Sequence, residues 1–339
     1  MAREQLGDGL TVSAIGFGAM ALSHVYGTTD PAEALRTLHH AVDIGVTFID
    51  TADVYGEPRA GQDGPAGTNE ELIAKLLDGR RPEVQLATKF GITGRIGTGS
   101  AATRGDRDYV RSACEASLRR LGVEVIDLYY LHRRQLDLPI TETVAAMAEL
   151  VSEGKVRHLG LSEVTADELE AAHRVHPITA VQSEWSIWSR DVEASVVPTA
   201  ARLGIGFVPY SPLGRGFLTG TMTGDRIAEG MLAREARFTE HFDANQRVVE
   251  VIRRVADQHG ATPAQVALAW LYAQGRRFGL PVVPIPGTRS AARVGETAAS
   301  VGLHLDDAQI DALDAAADLV HGDRALSFTS PGWISSDRE

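Results

Sequence analysis

The chain has 339 residues, 44% hydrophobic and 23% charged, a balance ordinary for a protein that buries a sizeable core. With 33 basic against 45 acidic side chains the formal net charge is −12, which argues against a polyanion-binding surface; any phosphate site must be a local cluster of arginines or backbone N–H groups. One cysteine, Cys114, excludes an internal disulfide, and no CxxC or His/Cys zinc pattern is present. The opening MAREQLGDGL is unlike a signal peptide, and no apolar run nears the roughly 20 residues that span a bilayer, so a reduced, cytoplasmic setting is expected.

Taken in chain order, the first element is a turn at Gly7-Asp8-Gly9 between short alternating segments, which predicts a hairpin across the bottom of a barrel. Short runs rich in Val, Ile, Leu or Phe then recur, as in strands buried on both faces. The predicted strands cover 14–18, 46–50, 84–89, 126–132, 156–162, 178–183, 205–210 and 281–285. Amphipathic stretches between them predict helices over 31–44, 69–78, 108–121, 141–153, 166–175, 191–203 and 290–299, with two more at 246–258 and 263–273. Asp30 is suited to cap the first of these, and Pro31 to open it. Eight strands alternating with helices predict a single α/β domain over 1–339, a (β/α)8 TIM barrel with an N-terminal β-hairpin. Connections 56–68, 90–107 and 216–245 are longer than a barrel needs and extend its C-terminal face. The polar tail 320–339, with Pro331 and Trp333, reads as irregular.

One motif fails on context. Gly16-Phe17-Gly18-Ala19-Met20-Ala21 matches the dinucleotide fingerprint G-x-G-x-x-A, but that mechanism needs a helix to start inside the motif. Here the next predicted helix begins only at Pro31.

Four chemically able residues fall at or just after predicted strand ends, where barrels carry their chemistry: Asp50, Tyr55, Lys89 and His132. Singly each has a bland explanation: a turn cap, a loop aromatic, a solvated strand end, a core histidine. Together they are harder to dismiss, because Lys75, Lys89 and Lys155 are the only lysines and one of them ends an apolar strand. An ammonium beside a tyrosine favours its ionised form and makes it a usable acid, a buried Asp keeps that ammonium charged, and a histidine can orient a carbonyl. The group suits carbonyl reduction beside a hydride donor. A metal-dependent hydrolase would need more ligands at strand ends than Asp50 and His132, so no metal is expected.

The segments FIDTADVYG (48–56), NEELIAKLL (69–77), LATKFG (86–91), DLYYLHR (127–133), GKVRHLGLSE (154–163), VQSEW (181–185), YSPLGRGFLTG (210–220) and PIPGTR (284–289) resemble the aldo-keto reductases. Among these, the likeness is to the branch with the pyridoxal and perakine reductases and the potassium-channel β-subunits. The resemblance implies Tyr55 as general acid, Lys89 as the group that lowers its pKa, Asp50 as the bridge to Lys89, and His132 as the orienting residue. It implies NADPH/NADP+ as cofactor, a small-molecule carbonyl substrate, no nucleic-acid or membrane partner, and leaves self-association open. Ser162 and Gln182 would meet the nicotinamide carboxamide, Glu163 shares their place but departs from the Asn of many relatives, which leaves its contact open, and Tyr210 would stack on the ring. Ser211, Pro212, Leu213, Gly214, Arg215 and Gly216 would wrap the diphosphate, and Met20 and Asp50 would also border the cofactor. Ile285, Gly287, Thr288, Arg289, Ser290 and Arg293 follow the pattern of a 2′-phosphate site, in which two arginines four apart reach one dianion. Glu296 would meet adenine, while Thr297 stands where relatives have an amide. Residues 57–67 interrupt the usual connection after Tyr55 and are expected to border the substrate pocket, with Tyr26, Phe90, Arg133, Trp185 and Trp188 as further candidates, plain packing being an equal alternative for Trp188. The alternative is an NADPH-sensing regulatory subunit of the channel β-subunit kind.

Overall fold

The computed structural model describes residues 1–23, 29–57, 64–94, 102–228, 230–324 and 330–339. Strands β1 (Arg3–Gln5) and β2 (Thr11–Ser13) pair antiparallel, forming the expected hairpin. Seven strands then lie side by side and parallel: β3 (Gly16–Gly18), β4 (Phe48–Asp50), β5 (Gln85–Phe90), β8 (Ile126–Leu131), β9 (Val156–Ser162), β10 (Ala180–Gln182) and β11 (Gly206–Phe207). Between β5 and β8 the small pair β6 (Ile92–Thr93) and β7 (Ala102–Thr103) forms its own ribbon.

The eighth staves the barrel without forming a regular strand. Phe207 N–H donates to the Pro281 carbonyl (2.9 Å), and Val283 and Ile285 donate to the carbonyls of Phe207 (2.9 Å) and Pro209 (3.2 Å). On the other side Gly16 and Gly18 donate to the carbonyls of Pro284 (2.9 Å) and Pro286 (3.2 Å), so residues 281–286 bridge β11 to β3. Three prolines remove donors from this stretch, which is why the strand expected over 281–285 is a sparse seam rather than a full ladder. The backbones there nearly touch: a Cβ on Gly18 would lie 2.7 Å from the Ile285 carbonyl oxygen. The glycines of the rejected fingerprint therefore serve barrel closure.

Around the sheet lie α1 (Pro31–Asp43), α2 (Thr68–Leu77), α3 (Arg107–Leu121), α4 (Ile140–Ser152), α5 (Ala166–Val175), α6 (Val196–Leu203), α7 (Gly224–Ala228), α8 (Phe242–His259), α9 (Pro263–Phe278), α10 (Ala291–Ala298) and α11 (Asp307–Ala315). Asp30 caps α1 as expected, accepting from Ala32 N–H at 2.7 Å, with Pro31 as its first residue. The helix expected over 191–203 is broken: Asp191–Glu193 make a 3-10 turn, and α6 starts at Val196. Pro198 has no N–H to bond a carbonyl one turn earlier, so it is tolerated only in the first turn of a helix.

Apolar side chains fill the barrel interior, among them Phe48, Ala87, Leu128, Val208 and Val283, and the hairpin adds Leu6, Leu10 and Val12 to the same cluster. A Cβ on Gly7 would come within 2.6 Å of the Gly204 carbonyl and 3.0 Å of the Thr179 carbonyl, so the hairpin turn sits on the residues leading into β10 and β11. That is the N-terminal end of the barrel. Among the described residues no helix is long and apolar enough to cross a membrane.

Candidate active site

The opposite end gathers polar groups. Asp50 ends β4, Lys89 is the penultimate residue of β5, and His132 directly follows β8. Side chains alternate along a strand, so Lys89 faces the barrel axis while Phe90 faces outward and stacks on Tyr129 at 4.8 Å. Tyr55 is set by a turn after β4: its N–H bonds the Ala52 carbonyl and its carbonyl accepts from Asn69 N–H, both at 3.2 Å.

These residues form one connected group. Lys89 Nζ donates to Asp50 Oδ1 and to the Thr51 carbonyl (2.8 Å), and lies 3.5 Å from the Tyr55 hydroxyl. Gln182 Nε2 donates to Asp50 Oδ2 at 2.9 Å, which uses the second carboxylate oxygen. The His132 ring meets the Tyr55 ring edge-on, centroids 5.6 Å apart and planes at 86°. Arg133 Nη1 donates to the His132 carbonyl (2.6 Å) and to Ser162 Oγ (3.0 Å), tying the end of β8 to the end of β9.

Burial drives the titration of all four. It pushes Lys89 down and Asp50 up, and each ion holds its partner charged against that penalty. Tyr55 is pushed upward, first by burial and then by the Asp50 charge, with Arg133 opposing. Burial and the Asp50 charge outweigh the opposing Arg133 charge, so the tyrosine keeps its proton in this state. His132 is held well below its ordinary value by burial and by the charges of Arg133 and Lys89, so it is a neutral imidazole. Its Nδ1 is buried without a partner.

Beyond this group, Tyr210 sits at the barrel mouth, bridged in parallel to Glu184. Its hydroxyl donates to Glu163 Oε1 at 2.8 Å. The following loop repeatedly takes the left-handed conformation, at Ser211 (φ 47°), Gly214 (φ 55°), Arg215 (φ 56°) and Gly216 (φ 96°). At Gly214 a Cβ would strike the Trp188 ring at 2.6 Å, so the loop lies directly on that indole. The Arg215 guanidinium turns inward to the buried Glu184 carboxylate (2.9 Å). Pro212 and Leu213 belong to this loop, and Met20 is half-buried in the 3-10 turn Ala19–Leu22 that follows β3. Across the seam, Thr288 Oγ1 accepts from Ser290 N–H (3.2 Å), and the Arg289 carbonyl accepts from Thr37 (3.2 Å). Arg289 and Arg293 flank the start of α10, the second exposed. The Glu296 carbonyl accepts from Gln265 at 3.1 Å, and the Thr297 hydroxyl bonds back to its own helix at the Arg293 carbonyl (3.0 Å).

Three expected pocket residues are elsewhere. Phe90 belongs to the outer core, as alternation with Lys89 requires. Trp185 is fully buried between Phe207 and Trp270, its indole N–H bonded to Glu193. Trp188 stacks on Phe217 at 4.9 Å beneath the glycine loop. Tyr26, and 58–63 of the inserted segment, lie outside the described residues.

The tail, by contrast, contributes what sequence reasoning missed. Trp333 joins Ala52, Val54 and Ile92 in an apolar cluster against which Tyr55 packs. Arg324 and Ser335 both bond the Glu163 carboxylate. A tryptophan in a mostly polar tail was the available signal.

The family model described as Aldo/keto reductase family matches residues 14–318. A "Probable aldo-keto reductase 1" of Glycine max is 44% identical over 306 residues, covering 88% of this chain and 84% of that one. Among solved structures, a glycerol dehydrogenase of Gluconobacter oxydans superposes with a TM-score of 0.82 at 25% identity, covering 93% of this chain and 95% of its own. A holo-form aldo-keto reductase of Bacillus halodurans gives a TM-score of 0.75 at 26% identity, covering 96% and 98%.

Proposed function

Because the chain belongs to the aldo/keto reductase family, whose chemistry is carbonyl reduction, we propose that it is an NADPH-dependent reductase of aldehydes or ketones with Tyr55 as its general acid. The observation that carries this reading is the buried chain Asp50–Lys89–Tyr55 beside a neutral His132. Tyr55, held protonated at neutral pH, keeps its proton until a carbonyl oxygen gains negative charge, then donates it. Lys89, kept charged by Asp50, stabilises the tyrosinate left behind. His132 offers one N–H to the same oxygen and fixes the angle of approach.

The bound cofactor supplies the hydride. Its cradle is supported by the left-handed loop after Tyr210, where small residues and backbone N–H groups suit a diphosphate. Gln182 has already committed Nε2 to Asp50, so its carbonyl oxygen remains to accept from a carboxamide, with Ser162 Oγ alongside. Ile285, Gly287, Thr288, Arg289, Ser290 and Arg293 would hold the 2′-phosphate end, with Glu296 and Met20 at its margins. The same reading expects a cytoplasmic protein acting on a small carbonyl compound.

The test begins with tryptophan-fluorescence titration of NADPH against NADH, then nicotinamide absorbance with a panel of aromatic and aliphatic aldehydes. Tyr55→Phe should lower kcat about 10²- to 10⁴-fold with NADPH affinity unchanged. Arg293→Ala should weaken NADPH binding about tenfold while leaving NADH untouched, by loss of one charge-assisted contact. Tight binding without turnover on any carbonyl would favour the sensor reading, and no binding of either nucleotide would sink both.

A further inference from the structure

Glu163 stands in the position from which the resemblance implies a carboxamide contact, yet its carboxylate is already saturated. Oε1 accepts from the Tyr210 hydroxyl (2.8 Å), Arg324 Nη1 (2.9 Å) and Glu184 N–H (3.2 Å). Oε2 accepts from Arg324 Nη2 (3.0 Å), Ser335 N–H (2.9 Å) and Ser335 Oγ (3.3 Å). A carboxylate has about four lone-pair sites, so six donors leave none for a ligand amide. The Arg324 pairing holds its carboxyl down at about 2, so it carries no proton to offer either. Its backbone is left-handed, at φ 51°, a conformation costly for a glutamate and kept only where surrounding contacts over-determine it.

Those contacts run to the chain's end. Arg338 donates to the Glu163 carbonyl (2.7 Å) and to Glu168 (2.9 Å), which Arg134 also holds (2.8 Å). The same Arg338 bonds the carbonyls of Gly332 and Ile334, the residues on either side of Trp333. Trp333 is 7% exposed and seated in the cluster beside Tyr55. One carboxylate thus links the Tyr210 ring, through its hydroxyl, to the segment that carries the tryptophan.

We propose that Glu163 is a positioning residue and not a cofactor ligand: it fastens 330–338 across the barrel mouth, so that Trp333 walls the carbonyl pocket next to Tyr55 and sets which carbonyl compounds fit. The inference rests on the reductase reading above. Its chemistry is that of an internal clamp: the bidentate Arg324 pair fixes the Glu163 carboxylate, Ser335 N–H and Oγ seat on that carboxylate, and Arg338 bonds the Glu163 carbonyl, which together hold a segment whose own regular structure is one 3-10 turn, Ser335–Asp337.

The test compares wild type with Glu163→Gln, Arg324→Met and Trp333→Ala. Hydrogen exchange of the amides in 330–338 should speed up at least about tenfold in the first two, because exchange follows the free energy of local opening. The KM for aldehydes should rise about tenfold in all three, with NADPH affinity unchanged, the pattern of lost substrate positioning. If Glu163→Gln fails to fold, Glu163→Asn replaces it, since asparagine tolerates the left-handed backbone while its side chain is too short for the clamp. Weaker NADPH binding with unchanged exchange would make Glu163 a nicotinamide ligand and overturn the proposal. Faster exchange with unchanged KM would reduce the clamp to structure alone, which also overturns it. A wild type that reduces no carbonyl would defeat the reductase reading and the substrate role with it. Normal turnover with unchanged exchange in the variants would defeat this inference only.

Discussion

At its N-terminal end the barrel is sealed by Leu6, Leu10 and Val12 of the hairpin, all buried and all apolar. At its C-terminal end the covering tail, though it seats Trp333 in an apolar cluster, is held by ions: Glu163 with Arg324, and Glu168 with Arg134 and Arg338. Apolar burial is indifferent to pH and nearly so to salt, whereas an ion pair holds only while both partners stay charged. A plug that never opens can be built from the first kind of surface. A mouth through which ligands pass, as the proposed function requires, is better served by contacts whose strength depends on partners and solvent.

Three measurements would break or sharpen that contrast. The largest effect is expected at the mouth: Lys89→Met leaves Asp50 buried without its counter-ion and should cost about 3–5 kcal/mol of stability. Chemical denaturation reads that cost, and turnover should collapse in the same variant. At the other end, Leu6→Ala should cost about 2–5 kcal/mol through lost burial and a residual cavity, with KM and kcat unchanged. If turnover falls as well, the two ends are coupled and the contrast is too simple. The smallest effect is the pH dependence of the clamp. Glu163 titrates at about 2 in the folded chain against 4.5 ordinarily, so its stabilisation is complete above about pH 4.5 and drains away as pH falls toward 2. The stability gap between wild type and Glu163→Gln should reach on the order of 3 kcal/mol at neutral pH and close at acid pH. Over the same range the Leu6→Ala gap should stay flat.

The sequence made the barrel readable because buried parallel strands are written as short apolar runs, and runs such as 46–50 and 126–132 fall within a residue or two of β4 and β8. Asp50, Lys89 and His132 were visible for a related reason: an ionisable residue at the end of such a run has few structural excuses. Phe90 and Trp185 were misread because adjacency in sequence was taken for adjacency in space, while a strand sends neighbours to opposite faces. The raised pKa of Tyr55 was out of reach, since it depends on how deeply the ring is buried and not only on which charges surround it. Glu163 was the hardest case. Its partners Arg324, Ser335 and Arg338 lie far along the chain in a tail with no periodicity, and nothing local marks a carboxylate as spent.

The sparse seam between β3 and 281–286 also bears on how the molecule is made. The first barrel strand must wait for nearly the whole chain to be synthesised before its second edge is covered. Until then the nascent polypeptide carries a curved parallel sheet with exposed backbone donors and acceptors on both margins, the surfaces on which chains associate wrongly. Closing a loop that spans the domain is entropically costly, and a ladder from which prolines have removed donors repays little of that cost in hydrogen bonds. Closure therefore depends on the apolar side chains of Val283 and Ile285 entering the interior, which makes barrel completion a packing event rather than a zippering of strands.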